Sequence, residues 1–196
     1  MLKILIATNN LDKIKEYQFM FKDYPIKIYS LKDFNIEDDP LEDGKSYQEN
    51  AHIKIKAIEN KIKNILVMSD DSGIEIDSMG EHSPGIYSKR YAQNHGYYKK
   101  VNKDLCDAYH GSKARYVCNI TLLDLDRNCH DFEGIMEGKI STSPKGDNGF
   151  GYDPIFIKDG ESLTNGEISD DIKNSFSHRK KALDKLISFL KENKYL

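Results

Sequence analysis

Two adjacent aspartates, Asp70 and Asp71, follow the short apolar run Ile65 to Met68 and lead into Ser72 and Gly73. An ionised carboxylate drawn out of water needs a basic partner, solvent or a cation, because it loses its hydration on burial. A hard divalent cation meets that need. Magnesium takes one or two carboxylates together with substrate phosphate oxygens, and Glu42, Asp70 and Asp71 are the best-placed suppliers. The same pair also reads as a solvated turn with Ser72 and Gly73, and a solvated loop accounts for most of the acidic stretch Glu37, Asp38, Asp39, Glu42 and Asp43.

A second group is Thr8, Asn9 and Asn10, placed between an apolar run and a segment of helical periodicity. Short polar side chains at a helix start accompany free N–H groups that favour phosphate, and Lys13 adds a point charge in the first turn. An ordinary polar turn with a helix cap is the other use of these residues. The third group is Gly146 to Asp153, GDNGFGYD, where small residues let backbone approach a ligand and two aromatics offer a stacking face. No GxxxxGK[ST] phosphate loop occurs. Arginine is scarce: Arg90, Arg115, Arg127 and Arg179 are the only four among 29 Lys and Arg residues. An arginine kept in a lysine background suggests a need for the planar two-pronged fork, which singles out Arg179 beside His178, and Arg90.

The elements that must position these groups follow from periodicity. Leu2 to Ala7 reads as a buried strand, and Leu11, Ile14, Tyr17, Met20 and Phe21 have helical spacing. Ser46 to Glu49 has the form of a capping box and opens a helix to about Lys63, with Ala51, Ile55, Ile58 and Ile62 on one face. Ile65 to Met68 is a short strand with the acid pair at its carboxyl end, where ligands collect in α/β sheets. A helix from Gly96 to Tyr109, a hairpin of Arg115 to Asp126 with Cys129 to Ser141, and a final helix from Ser177 complete the reading. In that last helix Ala182, Leu183, Leu186, Ile187 and Leu190 point inward.

At 196 residues the chain suits one α/β domain, or two lobes sharing a continuous sheet. The formal net charge of -3 excludes a broad basic field, so long nucleic acid is not an expected partner. Cys106, Cys118 and Cys129 are odd in number and lie in no ligand spacing, which points to free thiols in a reducing compartment. No apolar run approaches a signal or a membrane span, so no membrane partner is expected and the cytoplasm is the default location.

Six pieces in order, ATNNLDK (Ala7 to Lys13), ENAHIKIKA (Glu49 to Ala57), SDDSG (Ser69 to Gly73), PGIYSKRYA (Pro84 to Ala92), GFGYDPIF (Gly149 to Phe156) and SHRKKAL (Ser177 to Leu183), resemble the inosine triphosphate pyrophosphatase family, the non-canonical purine NTP pyrophosphatases. The resemblance spans nearly the whole chain. It implies an α/β fold with a long mixed central sheet flanked by helices in two lobes, an active-site cleft between them, and a homodimer. It further implies magnesium-dependent hydrolysis of deaminated purine nucleotides (ITP, dITP, XTP) to the monophosphate and pyrophosphate, in a single domain over residues 1–196. By the same resemblance Thr8, Asn9, Asn10, Leu11, Asp12 and Lys13 hold the triphosphate, and Glu42 and Asp71 bind magnesium, with Asp71 the proton acceptor. Asp70, Lys13 and Lys54 belong to the catalytic centre, while Ser72, Phe150, Gly151, Tyr152, Asp153, Lys173, His178 and Arg179 contact substrate. His178 and Arg179 are the expected readers of a 6-oxo purine.

The chemistry of the acid pair is shared by a receiver-type phospho-acceptor domain, but such a module needs acids after its first strand, where this chain has Thr8-Asn9-Asn10. A related pyrophosphatase for modified pyrimidine nucleotides and a non-catalytic nucleotide sensor are the remaining alternatives.

Overall fold

The structure, a computed structural model, describes residues 1–196. In chain order it contains β1 (Leu2–Ile6), α1 (Leu11–Phe21), β2 (Ile26–Ser30), α2 (Tyr47–Ile58), β3 (Leu66–Ile76), α3 (Ser88–Asn94), α4 (Tyr97–Tyr109), β4 (Lys113–Leu123), β5 (Cys129–Ile140), β6 (Phe156–Lys158), α5 (Asp170–Phe176) and α6 (His178–Glu192). The six strands form one sheet in the order β2-β1-β3-β4-β5-β6. It is a mixed sheet: β1 runs parallel to β2 and β3, with Ile4 opposite Leu66, and β5 runs antiparallel to β6. The expected α/β class with a long mixed sheet is therefore the observed one.

The chain divides into two compact units, the first comprising Met1–Asp71, Cys118–Gly134 and Arg179–Leu196, the second Ser72–Val117 and Ile135–His178. In the first unit both faces of the sheet are covered. Side chains alternate along a strand, so Ile4, Ile6, Leu66 and Met68 pack with Tyr17, Met20 and Phe21 of α1 and with Leu183, Leu186 and Leu190 of α6. Their neighbours Leu5, Ala7 and Val67 pack on the other side with Ile55 and Ile58 of α2. A strand covered on both faces has no polar side to offer, which is why Leu2 to Ala7 reads as a continuous apolar run. The same holds for β4, where every residue from Tyr116 to Leu123 is buried. In the second unit a single core gathers Ile74, Ile76, Leu105, Tyr116, Met136, Tyr152 and Phe156.

Two helices begin as the sequence dictates. Ser46 Oγ accepts the Glu49 N–H at 3.1 Å and caps α2, while the Glu49 carboxylate accepts from the Lys45 N–H at 2.7 Å, one residue earlier than a standard capping box. At α1 the Asn10 side chain is the cap, accepting from the N–H groups of Asp12 at 2.9 Å and Lys13 at 3.2 Å. Leu11, expected to face inward, is 58% exposed, whereas Lys13 and Glu16 on that helix are buried. Helix α2 ends at Ile58 and tightens into a short 3-10 turn over Glu59–Lys61, so it is shorter than the periodicity of Ile62 suggests, although Ile62 is buried.

The largest departure concerns the acid pair. β3 does not stop at Met68; it continues through Ser69, Asp70, Asp71, Ser72 and Gly73 to Ile76, so the two acids lie inside an eleven-residue strand and not at its carboxyl end. Turn-forming residues stay extended here because the strand's neighbours bond their side chains. Ser69 Oγ, for example, donates to the Ala51 carbonyl of α2 at 2.7 Å. Gly73 has a different reason. An added Cβ would lie 2.2 Å from the Gly85 carbonyl oxygen and 2.6 Å from Ser88 Oγ, so the strand passes that corner only without a side chain. Gly73→Ala should therefore cost about 2 kcal/mol by overpacking. Urea unfolding of the variant checks this, and a midpoint equal to that of the parent would contradict the contact.

Candidate active site

Consecutive residues of a strand point to opposite faces, so Asp70 and Asp71 enter different surroundings. Asp70 faces α1 and α6 and is fully buried. Its Oδ2 lies 2.9 Å from Lys13 Nζ and 3.6 Å from Arg179 Nε, and Cys118 Sγ donates to it at 3.8 Å. The other oxygen, Oδ1, is buried without a hydrogen-bond partner. Burial alone would push this carboxyl up, but Lys13, Arg179 and Lys54 reverse the effect and hold it down at about 2.

Asp71 faces α2. Asn50 donates to its Oδ2 at 2.9 Å, and Lys54 Nζ lies 3.7 Å from its Oδ1. Lys54 also lies 3.0 Å from Glu42 Oε2 and donates to the Asp70 carbonyl at 2.8 Å. Asp71 is raised above the ordinary carboxylate value because burial outweighs the pull of Lys54 and Lys13 and the Asn50 bond. Burial works against the charge on Lys54, yet Asp71, Glu42 and Asp70 more than compensate and raise its pKa, so the ammonium persists. Two neighbouring carboxyls are thus driven in opposite directions, the arrangement that separates acid and base duties.

The donor set suits a hard cation. Glu42 and Asp71 converge on one ammonium, which also meets the Asp70 carbonyl, so its three oxygen partners are of the kind a hard cation takes. No three side chains of His, Cys, Asp or Glu gather into a self-sufficient metal cage, so a cation here would have to complete its shell with ligands from elsewhere.

The first loop is partly committed to structure. Thr8 Oγ1 accepts from the Asn10 N–H at 3.2 Å, Asn10 is the helix cap, and Asn9 Nδ2 reaches the Asp38 carbonyl at 3.4 Å and Asp39 Oδ1 at 3.5 Å. Leu11 and Asp12 are exposed, with Lys15 3.9 Å from the Asp12 carboxylate. Arg179, at the start of α6, belongs to the surroundings of Asp70. It is 2% exposed, and its guanidinium is paired with Glu16 and set against Asp70. A guanidinium this deep must be matched by acids, and two are within reach.

Within the second unit Phe150 to Asp153 form a braced loop. The Asp153 carboxylate accepts from Lys173 Nζ at 2.8 Å, the Phe150 N–H at 2.9 Å, Asn165 Nδ2 at 3.2 Å and Tyr116 OH at 3.5 Å. Lys173 Nζ also lies 5.2 Å from the centre of the half-buried Phe150 ring. Asn102 of α4 donates to the Gly151 carbonyl at 2.9 Å, and Tyr152 OH donates to the Ser88 carbonyl at 2.7 Å. His178 stacks on Tyr116 with ring centres 4.7 Å apart and planes 10° from parallel. Ser72 lies next to Gly73 in β3, half-buried.

Two neighbours of the acid pair receive no role from the sequence. Asn50 is fully buried and joins Asp71 to the Glu42 loop, its Oδ1 accepting the Gly44 N–H at 2.9 Å; the signal was a polar residue four before Lys54 on one helix face. Glu16 pairs with Arg179, and its signal was an acid three residues after Lys13.

The lowered carboxyl of Asp70 makes stability depend on pH. Its pKa falls from 3.8 in an unfolded chain to about 2, so its contribution is fully present above pH 3.8 and disappears as pH falls through 2. A shift of that size is worth roughly 2–3 kcal/mol at neutral pH. Lys13→Met removes the foremost cation holding Asp70 down, and urea unfolding should show a deficit at pH 7 that narrows between pH 4 and 2. A gap independent of pH would refute this coupling.

Residues 4–189 match the sequence profile of the Ham1 family. A dITP/XTP pyrophosphatase of Caldanaerobacter subterraneus subsp. tengcongensis is 38% identical over 195 residues, covering 97% of this chain and 96% of that protein. One of Clostridium tetani is 38% identical over 193 residues, with 96% of each chain covered. Among solved structures, a HAM1 protein from Coxiella burnetii aligns with a TM-score of 0.83 at 31% identity, covering 98% of this chain and 100% of that one. The Staphylococcus aureus Ham1 protein gives 0.80 at 32% identity, covering 97% and 99%. A match over almost the whole length, in sequence and in fold, places this chain in the Ham1 family.

Proposed function

We propose that this protein hydrolyses deaminated purine nucleoside triphosphates, ITP, dITP and XTP, to the nucleoside monophosphate and pyrophosphate, with magnesium as cofactor. The observation that carries this reading is the divided acid pair: Asp70 is set against Lys13 and Arg179 on one face of the strand, and Asp71 against Asn50 and Lys54 on the other. The names of the relatives supply the substrate class.

In this reaction water attacks the α-phosphorus and pyrophosphate leaves, which requires charge neutralisation, alignment and an activated water. By the family resemblance Asp71 takes the proton from the attacking water. Lys54 and Lys13 offset charge on the phosphates, and Thr8 to Lys13 bind them through side chains and the start of α1. Glu42 and Asp71 would hold magnesium, which when bound neutralises and orients phosphate oxygens. Phe150 supplies a stacking face for the purine, and Ser72, Asp153, Lys173 and His178 shape its surroundings. Arg179, placed against Glu16 and Asp70, keeps Asp70 ionised in this arrangement. A homodimer and a cytoplasmic location belong to the same reading, through the family resemblance.

Pyrophosphate release across a panel of ITP, dITP, XTP, GTP, ATP and pyrimidine triphosphates, with magnesium present and absent, tests the assignment. Magnesium-dependent release should favour ITP, dITP and XTP. Asp71→Asn should lower kcat about 1,000-fold while retaining the fold, because it deletes charge and basicity without changing volume. Binding without release by the parent would identify a sensor, and near-parental turnover by folded Asp71→Asn would remove Asp71 from the chemistry.

A further inference from the structure

Outside the residues assigned above, the first unit holds a compact polar cluster centred on Asp131 of β5. Thr121 Oγ1 of β4 donates to its Oδ1 at 2.6 Å, and Gln48 Nε2 donates to its Oδ2 at 2.7 Å. His52 Nε2 lies 2.9 Å from Oδ1 and 3.0 Å from Oδ2. A carboxylate only accepts, so His52 presents its Nε2–H to Asp131. Gln48 and His52 are four residues apart on α2 and form one row. Asn50 and Lys54, also four apart, form another, and these are the side chains that meet Asp71.

We infer that Asp131 is a positioning residue that sets the rotation of α2 about its axis, and through it the placement of Asn50 and Lys54 on Asp71. The inward stripe of α2, Ala51, Ile55 and Ile58, attaches the helix to the core, but apolar contact has no direction and resists separation better than rotation. Hydrogen bonds are directional, and those to an ionised acceptor are short and strong. Asp131 gathers two donors from α2 and is itself fixed by Thr121, so the reference for the helix is the pair of strands β4 and β5. A reacting group displaced by an ångström costs orders of magnitude in rate, so a slight roll of α2 is enough to matter.

This inference rests on the proposed hydrolysis for its kinetic consequence, but the clamp has a readout of its own. Amide hydrogen exchange and steady-state ITP kinetics are measured for the parent, Asp131→Ala, His52→Ala and His52→Gln. Gln restores a donor near the Nε2 position. In both alanine variants exchange across Tyr47–Ile58 should quicken about 5-fold while that of β1 stays at the parental rate. kcat for ITP should fall about 5-fold with KM held within about 2-fold, and His52→Gln should recover both properties. In the double variant His52→Ala with Asn50→Ala, the loss in kcat should be smaller than the product of the single losses, since both act through the same contact to Asp71. Parental exchange in α2, a loss confined to KM, no recovery with glutamine or a fully multiplicative double variant would each overturn the proposal. Should the parent release no pyrophosphate from any nucleotide, the proposed function fails, and the exchange arms alone decide the clamp.

Discussion

The geometry depends on one constraint: successive side chains of an extended strand point to opposite faces, and β3 carries two carboxylates in succession through a layer covered on both sides. The two carboxylates therefore make their direct contacts with different side chains. Asp70 is committed to the layer of α1 and α6, where Lys13 and Arg179 reach it, and Asp71 to the layer of α2, where Asn50 and Lys54 reach it. Two adjacent acids on one face would compete for the same cations and repel each other. Placed across a strand, they titrate in opposite directions.

Charge balance follows the same division. A guanidinium beside Asp70 needs more than one acid at that depth, and Glu16 of α1 supplies the second. Lys54 bonds to the Asp70 carbonyl while its charge is shared between Asp71 and Glu42, so this ammonium reads the strand's backbone and a carboxylate at once. Buried ion pairs add little net stability, but removing one partner leaves the other uncompensated, and each ion here therefore fixes the place of its neighbours. The braced loop of the second unit follows a similar rule, with Asp153 holding Lys173, the Phe150 N–H and Asn165 together.

Much of this was legible in the residue pattern. The first strand and helix, the cap at Ser46, the hairpin and the inward face of the last helix all follow from periodicity and local chemistry, which are short-range properties. The course of β3 was not, because Ser-Asp-Asp-Ser-Gly is what a turn looks like when its partners, the Ala51 carbonyl, Asn50, Lys13 and Lys54, are distant in sequence. β2 was missed because, unlike the apolar β1 of equal length, it mixes polar and apolar residues and is mostly half-buried, and β6, α3 and α5 carry too few periods to stand out. The motif segments located Lys13, Lys54, Asp70 and Asp71 together, yet gave no sign that Arg179 would pair with Glu16, since that contact joins residues 163 positions apart.

In the proposed reaction the two acids have unequal claims to the proton. A base is useful when its pKa is close enough to the working pH to accept a proton from water, and efficiency rises with basicity. Asp70, held at about 2 and ringed by cations, is the weaker base by design of its surroundings, and its remaining value is as fixed negative charge that keeps Lys13 and Arg179 in place. Asp71 is made more basic by burial, and the Lys54 ammonium beside it limits the rise. Phosphate oxygens that draw Lys54 toward themselves would weaken its hold on Asp71, so binding the polyanion would itself raise the basicity of the group that must take the proton. The lysine that steadies the free acid is then the one a triphosphate attracts.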